Sequence, residues 1–393
     1  MPGPLDGIRI LDLSAVISGP YGTMILADQG ADVIKVEPPG RGDFTRAAGN
    51  KSGGMSASFL NNNRNKRSIT LDLKSPKGVD IVKRLAATSD VVVQNFRPGV
   101  VERLGVGEDD LRAVKHDLIY VSISGFGEKG PFSNRPVYDP IVQALSGLAS
   151  VQGGSDQSRP RLVHTILPDK LTAVTSSQAI TAALLARERT GHGQHVRLSM
   201  LDSIVSFLWS SDMGGQTYID KKVSPQRAAS FIDLIYMTSD GHMSVAVMTN
   251  AQWEALCHAF DRTEWLEDER FATTELRDIN IDARLELIQS VLETATTDHW
   301  MNLLDEAGVP CAPVLTRSEL LDHPQIQAAD IIRESEHPQA GRLRQTRNAA
   351  RFSVTEPEHR RGAPQLGEHT SEVLAEAGFS ADEIQALHRD GIV

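Results

Sequence analysis

The chain reads as an α/β protein: a mostly parallel sheet covered by helices, followed by a smaller α+β domain. Three observations predict this. The first half alternates short apolar runs with helix-like segments, the pattern of repeated βα units. Over residues 212–227 the composition turns polar and glycine-containing, as a linker does. Beyond it, one hairpin signal precedes three helical segments, and the tail returns to strand-like, turn-rich sequence. At roughly 100–200 residues per domain, 393 residues make two or three domains.

The elements follow in order. "GIRILDLS" is a short apolar strand and "GPYGTMILADQGA" the helix after it. "DVIKVE" and "RSITLDL" are the next strands. "SPKGVDIVKRLAATS" is a helix with Ser75 as N-cap and Pro76 at the first helical position, where a missing N–H costs nothing. "DVVVQNF", the short helix "GEDDLRAVK" and "LIYVSIS" continue the alternation. A long helix begins after Asp169, runs to about Arg189 and is broken by "TGHGQ"; "HVRLSMLDSIVSFLWSS" follows. "DLIYMTSDGHMSVAV" is a hairpin turning at Asp240-Gly241. "NAQWEALCHAF", "ARLELIQSVLE" and "DHWMNLLDEAG" are helical, as are "HTSEVLAEAG" and "ADEIQALHRDG" at the end.

Composition excludes several classes of function. A formal net charge of -11 argues against nucleic acid or an anionic membrane as partner. The two cysteines, Cys257 and Cys311, form no CxxC pair, and no Cys/His cluster has zinc-ligand spacing, so no metal is expected. The start lacks the charged and apolar regions of a signal peptide, and no uncharged apolar stretch approaches 18 residues. A cytoplasmic protein is the expectation.

In open parallel sheets, ligands bind beyond the carboxyl ends of the strands. "DLSAVISGP", "QNFRPG" and "SISGFGEKGP" occupy those ends. "GFGEKG" (125–130) is a literal G-x-G-x-x-G, but Pro131 and "FSNRPVYD" show no helical periodicity behind it. A loop over a ligand fits better than a nicotinamide site. "NNNRNKRSITLDL" gathers Arg64, Lys66 and Arg67 before a strand, with Lys74 after it; "NFRPGVVERLG" adds Arg97 and Arg103. These cations read either as a solvated basic loop or as a phosphate-binding edge. Asp169, in "LPDKLTA", has three readings: an N-cap, one half of an ion pair, or a nucleophile. Local rules rank the first two ahead. A carboxylate at a helix N-terminus is held as the anion, so capping and chemistry are compatible. His164, His192 and His195 show no triad spacing, and neither a G-x-S-x-G elbow nor H-E-x-x-H is present.

Taken in order, "PLDGIRILDLSAVISGPYGTMILADQGADVIKVEPPGRGD", "NKRSITLDLKSPKG", "DVVVQNFRPG", "YVSISGFGEKGP", "YDPIVQALSG", "TGHGQHVRLSMLDS", "GVPCAPV" and "LGEHTSEVL" resemble the class III CoA-transferases. This is the family of formyl-CoA transferase and the carnitine CoA-transferases. The resemblance spans essentially the whole chain. It implies a Rossmann-like large domain over residues 1–210, completed by residues 330–393, a small domain over 225–320, and an interlocked homodimer. It implies that Asp169 is the nucleophile, passing through acyl-aspartyl anhydrides and an aspartyl-CoA thioester. Coenzyme A enters as substrate, with a small carboxylic acid as acceptor and no metal or nicotinamide. Carried over by position, CoA contacts fall on Val16, Ile17, Ser18, Leu71, Lys74, Asn95, Phe96 and Arg103, with Arg97 as a neighbour of suitable charge. The cations suit phosphates, and Leu71 and Phe96 suit adenine. Gly125, Gly127, Tyr138 and Asp139 are substrate-pocket candidates, the glycine-loop N–H groups as oxyanion donors.

The sequence departs from formyl-CoA transferase at Ile17, where that enzyme has a glutamine, and at Pro38, where it has an arginine. Its glycine-rich loop has no counterpart, since Gly241 is the only glycine between Ala229 and Asn250. Formyl-CoA and oxalate are therefore weakened as substrates. Two alternatives remain. An α-methylacyl-CoA racemase needs a His–Asp pair, but Tyr138 precedes Asp139, and a phenol is a poor base at neutral pH. A non-catalytic CoA-binding protein would bind CoA without using Asp169.

Overall fold

The computed structural model describes residues 3–154, 156, 158–221 and 234–393. The chain divides into two compact units, Met1–Pro225 with Asp330–Val393, and Gln226–Ala329. Of the expected polar linker, residues 222–227 lie outside the described residues, as do residues 229–233 of the glycine-poor stretch.

The first unit is built on six strands: β1 (Arg9–Asp12), β2 (Asp32–Glu37), β3 (Lys66–Thr70), β4 (Val91–Gln94), β5 (Ile119–Ser124) and β6 (His195–Ser199). Their order across the sheet is 3-2-1-4-5-6, and every neighbouring pair is parallel. The chain winds outward one way from β1 and the other way from β4. That leaves a crevice between the loops after these two strands, where doubly wound sheets bind ligands.

Strands covered on both faces need apolar residues on both sides, hence near-continuous runs such as "VVVQ" and "IYVSIS". Alternation then sorts them. Leu11, Ile34, Ile69, Val92 and Tyr120 face one cluster with Val373, Leu374, Ile384 and Leu387 of the tail. Ile10, Val33, Val91, Ile119 and Val121 face the other. Thr370 and His369 dock the tail on β3: the Thr70 amide donates to Thr370 Oγ1 at 3.1 Å, and the His369 amide to the Ser68 carbonyl at 2.9 Å.

Six helices of this unit concern the site: α1 (Ser18–Asp28), α2 (Pro76–Ala87), α3 (Glu108–Val114), α4 (Asp139–Leu145), α5 (Leu167–Thr190) and α6 (Met200–Trp209). The segment "HVRLSMLDSIVSFLWSS" is β6 running straight into α6, with the Ser199 hydroxyl capping the helix at the Asp202 amide. No helix follows "GFGEKG" directly, since the next begins at Asp139. α1 lies tightly on α5 because position 22 is glycine. A Cβ there would stand 2.3 Å from Ser176 Oγ and 2.8 Å from the Ala173 carbonyl oxygen. One turn back along each helix, this crossing brings Ser18 to Asp169.

In the second unit, the hairpin of Ile235–Met237 and His242–Val245 is antiparallel and gains a third strand, Cys311–Pro313. Helices Asn250–Ala259, Ile281–Leu292 and Thr297–Glu306 enclose a core of Trp253, Trp265, Phe271 and Trp300. A capping box at Thr249 and Gln252 starts the first of them.

Candidate active site

The crevice is formed by the loop Leu13–Ile17 after β1 and the turn Asn95–Gly99 after β4. Asn95 ties them together. Its Oδ1 accepts the Ala15 amide at 2.9 Å, and its Nδ2 donates to the Ala15 carbonyl at 2.7 Å. Next to this clamp, Val16 has φ +71°, a left-handed conformation that is strained for a β-branched residue. Its amide is held by the Asp43 carboxylate at 3.2 and 3.3 Å. Asp43 is anchored in turn by Lys35 Nζ, at 2.9 Å, and by Thr45. Lys35 sits inside the apolar run of β2 and is fully buried. A lysine in such a strand requires a buried anion; that was the readable sign of this support.

The basic segment before β3 is neither a solvated loop nor a phosphate edge. Arg64 pairs with Asp28 at 2.6 Å, Lys66 with Asp12 at 3.0 Å and Arg67 with Asp32 at 2.6 Å. All three side chains are buried although β3 is an edge strand and Arg64 precedes it, and buried charges must pair. Burial pushes the Lys66 ammonium down to about 8 despite Asp12. Burial alone would raise Asp12; the ammonium groups of Lys66 and Lys35, with the Ser14 and Thr23 hydroxyls, hold it at about 2.

Two volumes open on either side of Phe96. A groove of about 610 Å³ is lined by Pro38, Arg41, Leu71, Lys74, Phe96 and Leu104, among others. A chamber of about 280 Å³ is lined by Val16, Ser18, Asn95, Phe96, Arg97, Gly125, Arg135, Tyr138 and Asp169. Of the residues singled out in the sequence, Leu71 and Lys74 fall in the groove and Phe96 in both volumes. Val16, Ser18, Asn95, Arg97, Gly125, Tyr138 and Asp169 fall in the chamber. Ile17 is the buried N-cap residue of α1 and lines neither. Arg103 also lines neither; its guanidinium lies against the Gly99 turn. Gly127 lines a separate cleft, and its amide donates to Ser124 Oγ at 3.1 Å, so that N–H does not point at the chamber. Arg135 was not singled out in the sequence. It stacks on Phe132, its guanidinium carbon 3.8 Å from the ring centroid.

Asp169 is not the helix cap. α5 begins at Leu167, Ile166 is its N-cap without a side-chain bond, and Asp169 is the third helical residue. Its own amide is taken by Asp139, whose Oδ2 accepts it at 3.2 Å. Asp139 is 3% exposed and lies beneath the chamber rather than on its wall. Its Oδ1 accepts Gln143 Nε2 at 2.6 Å, and Gln143 Oε1 accepts the Val163 amide at 2.9 Å. This pins the segment leading into α5.

The Asp169 carboxyl is pushed up to about 6, first by burial and then by the negative charge of Asp139. Hydrogen bonds from the Ser18 hydroxyl and backbone amide oppose this. Ser18 is the first residue of α1, so the carboxylate faces that helix's free N–H groups and positive end. Burial also raises Asp139, against the pull of Gln143 and the Asp169 amide. The result is a half-buried carboxylate, anionic above about pH 6 and poorly hydrated, at the floor of a chamber joined to a basic-edged groove.

The sequence model for CoA-transferase family III matches residues 5–370. Human succinyl-CoA:glutarate CoA-transferase is 34% identical over 380 residues, covering 95% of this chain and 86% of that protein. Acetyl-CoA:oxalate CoA-transferase of Acetobacter aceti is 36% identical over 388 residues, covering 97% of each. Among solved structures, a CAIB/BAIF family protein from Brucella suis superposes with a TM-score of 0.83 at 32% identity, covering 96% of this chain and 100% of that one. The chain belongs to the class III CoA-transferases and is an acyl-CoA:carboxylate CoA-transferase.

Proposed function

We propose that Asp169 is the nucleophile that carries the acyl group and then coenzyme A. The observation behind this is the placement of its carboxylate: in the chamber at the β1/β4 switch point, against the N-terminus of α1. The CoA phosphates lie by Lys74 and Arg41, with Leu71 and Phe96 flanking adenine, and the thioester reaches past Phe96 into the chamber. An Asp169 oxygen attacks the thioester carbon, forming a mixed anhydride and expelling CoA thiolate. The thiolate attacks the aspartyl carbonyl, releasing the donor acid as carboxylate and leaving an aspartyl-CoA thioester. The acceptor carboxylate attacks that thioester, giving a second anhydride and thiolate. Attack of the thiolate on the acceptor acyl carbon yields the product thioester and restores the Asp169 carboxylate. No net proton is consumed. Ser18, donating to the carboxylate, is also placed to stabilise oxyanions on the aspartyl carbonyl.

Arg97 and Arg135 give the chamber two guanidiniums suited to a carboxylate. The relatives named for glutarate and oxalate make dicarboxylic acids the first acceptors to test. Assembly as an interlocked homodimer in the cytoplasm belongs to the same proposal. Tyr138, 76% exposed before Asp139, offers no histidine for α-proton transfer and leaves the racemase without its base.

The test is incubation with succinyl-, acetyl- and formyl-CoA, then hydroxylamine trapping and mass spectrometry of the peptide containing Asp169. A hydroxamate or CoA adduct on Asp169 is expected. Full transferase activity in Asp169→Ala would overturn the mechanism.

A further inference from the structure

A chain of four hydrogen bonds runs behind the CoA-binding turn. The Phe96 amide donates to Gln94 Oε1 at 2.8 Å. Gln94 Nε2 donates to Ser122 Oγ at 2.9 Å. Ser122 Oγ meets His195 Nε2 at 2.8 Å, and His195 Nδ1 meets Glu108 Oε2 at 2.7 Å. Glu108 is itself held by Arg112 at 3.0 Å and Arg197 at 3.2 Å.

The polarity of the first two bonds is fixed from one end. A backbone N–H only donates, so the Gln94 oxygen must face Phe96 and its NH2 must face Ser122. Ser122 Oγ therefore accepts from Gln94, and when His195 is neutral with its proton toward Glu108 the hydroxyl donates to Nε2. Glu108, an acceptor only, takes a hydrogen bond from Nδ1. The last bond, to a carboxylate, is charge-assisted.

The Ser–His–Glu segment has the outline of a hydrolase triad and opens on a cleft of about 820 Å³. Gln94, however, already donates to the Ser122 oxygen that would attack. Position points elsewhere. The relay ends on the amide of Phe96, the residue shared by groove and chamber.

We propose that His195 is a positioning residue for acyl-CoA: through Ser122 and Gln94 it sets the Phe96 backbone and with it the turn between groove and chamber. This rests on the reading that acyl-CoA occupies those two volumes. Breaking the chain at any link frees the turn, so its effect falls on CoA binding and not on the chemical step.

The experiment measures CoA binding by calorimetry, and KM for acyl-CoA and for the acid, in His195→Phe, Ser122→Ala and the double variant. Phenylalanine keeps the edge-to-face contact with Tyr120, now at 5.2 Å between ring centroids. Each single variant is expected to weaken CoA binding and raise the acyl-CoA KM roughly tenfold, the scale of a lost charge-assisted hydrogen bond. The acid KM and kcat should stay within about twofold, and the double variant should match the worse single one. Ser122→Thr keeps the hydroxyl and should restore wild-type binding even if His195→Phe folds poorly. Wild-type binding in the single variants, or multiplied losses in the double, overturns the relay alone. A wild-type enzyme that binds no CoA overturns the site reading and the relay together.

Discussion

Replacing Asp169 by asparagine should stabilise the protein at neutral pH while abolishing transfer. The carboxyl has an ordinary value of 3.8 and is pushed up to about 6 in the folded chain. A raised acid pKa means that the native state holds the proton more tightly than the unfolded chain. Stability from this group is therefore greatest below about pH 4, falls as pH rises to about 6, and is flat above. A displacement of about 2 units corresponds to at most about 3 kcal/mol, since solvent reaching a half-buried carboxylate screens part of it. Linkage puts the cost at up to about 1.5 kcal/mol at pH 5 and up to about 3 kcal/mol at pH 7.5. Asparagine does not ionise, so its advantage over wild type should grow by up to about 1.5 kcal/mol between these pH values. Urea unfolding of both proteins at equal concentration, at pH 5 and 7.5, measures that difference, and shape effects of the amide cancel. An advantage that is constant with pH, or that shrinks as pH rises, refutes the claim that a costly buried anion is held at this position.

Four further outcomes are expected. Asp139→Asn removes the second cause of the raised Asp169 pKa and leaves burial, so the acid limb of the kcat/KM profile should move down by about 1 unit or less. An unchanged limb would show that Asp139 does not act on Asp169 by charge. Val16→Gly relieves the left-handed strain and should raise unfolding stability by about 0.5–1 kcal/mol, read by urea titration. Asp12→Ala leaves Lys66 buried without its anion and should cost about 3–5 kcal/mol. Arg135→Gln should raise the KM for a dicarboxylic acceptor roughly tenfold and leave that for acyl-CoA near wild type; equal changes in both would exclude an acceptor role.

Much of the fold was legible because its signals are local. Parallel strands covered on both faces must be apolar throughout, so "DVIKVE" and "DVVVQNF" announce themselves. Pro76 after Ser75 and glycine at 191 punctuate helices by backbone chemistry alone. The strand-end segments were also marked in advance, because a doubly wound sheet binds ligands there whatever the ligand. Ordered family motifs carried Asp169 past its local reading as a cap.

Pairing across distance was not legible. Arg64, Lys66 and Arg67 look alike in sequence, yet each is committed to an aspartate some 35 to 54 residues away. A linear chain shows a charge but not the dielectric around it. Tertiary structure therefore decided that these cations are structural and that Asp169 is raised, first by burial and then by Asp139, rather than lowered by a cation. It likewise joined His195, filed among scattered histidines, to the Phe96 turn through residues far apart in sequence. Sequence alone determined the sheet and the family, and it singled out the carboxylate proposed as nucleophile. The packing of α1 on α5 at Gly22, and the crevice between β1 and β4, decided what that carboxylate faces, because desolvation and Coulomb energy depend on distance in space and not along the chain.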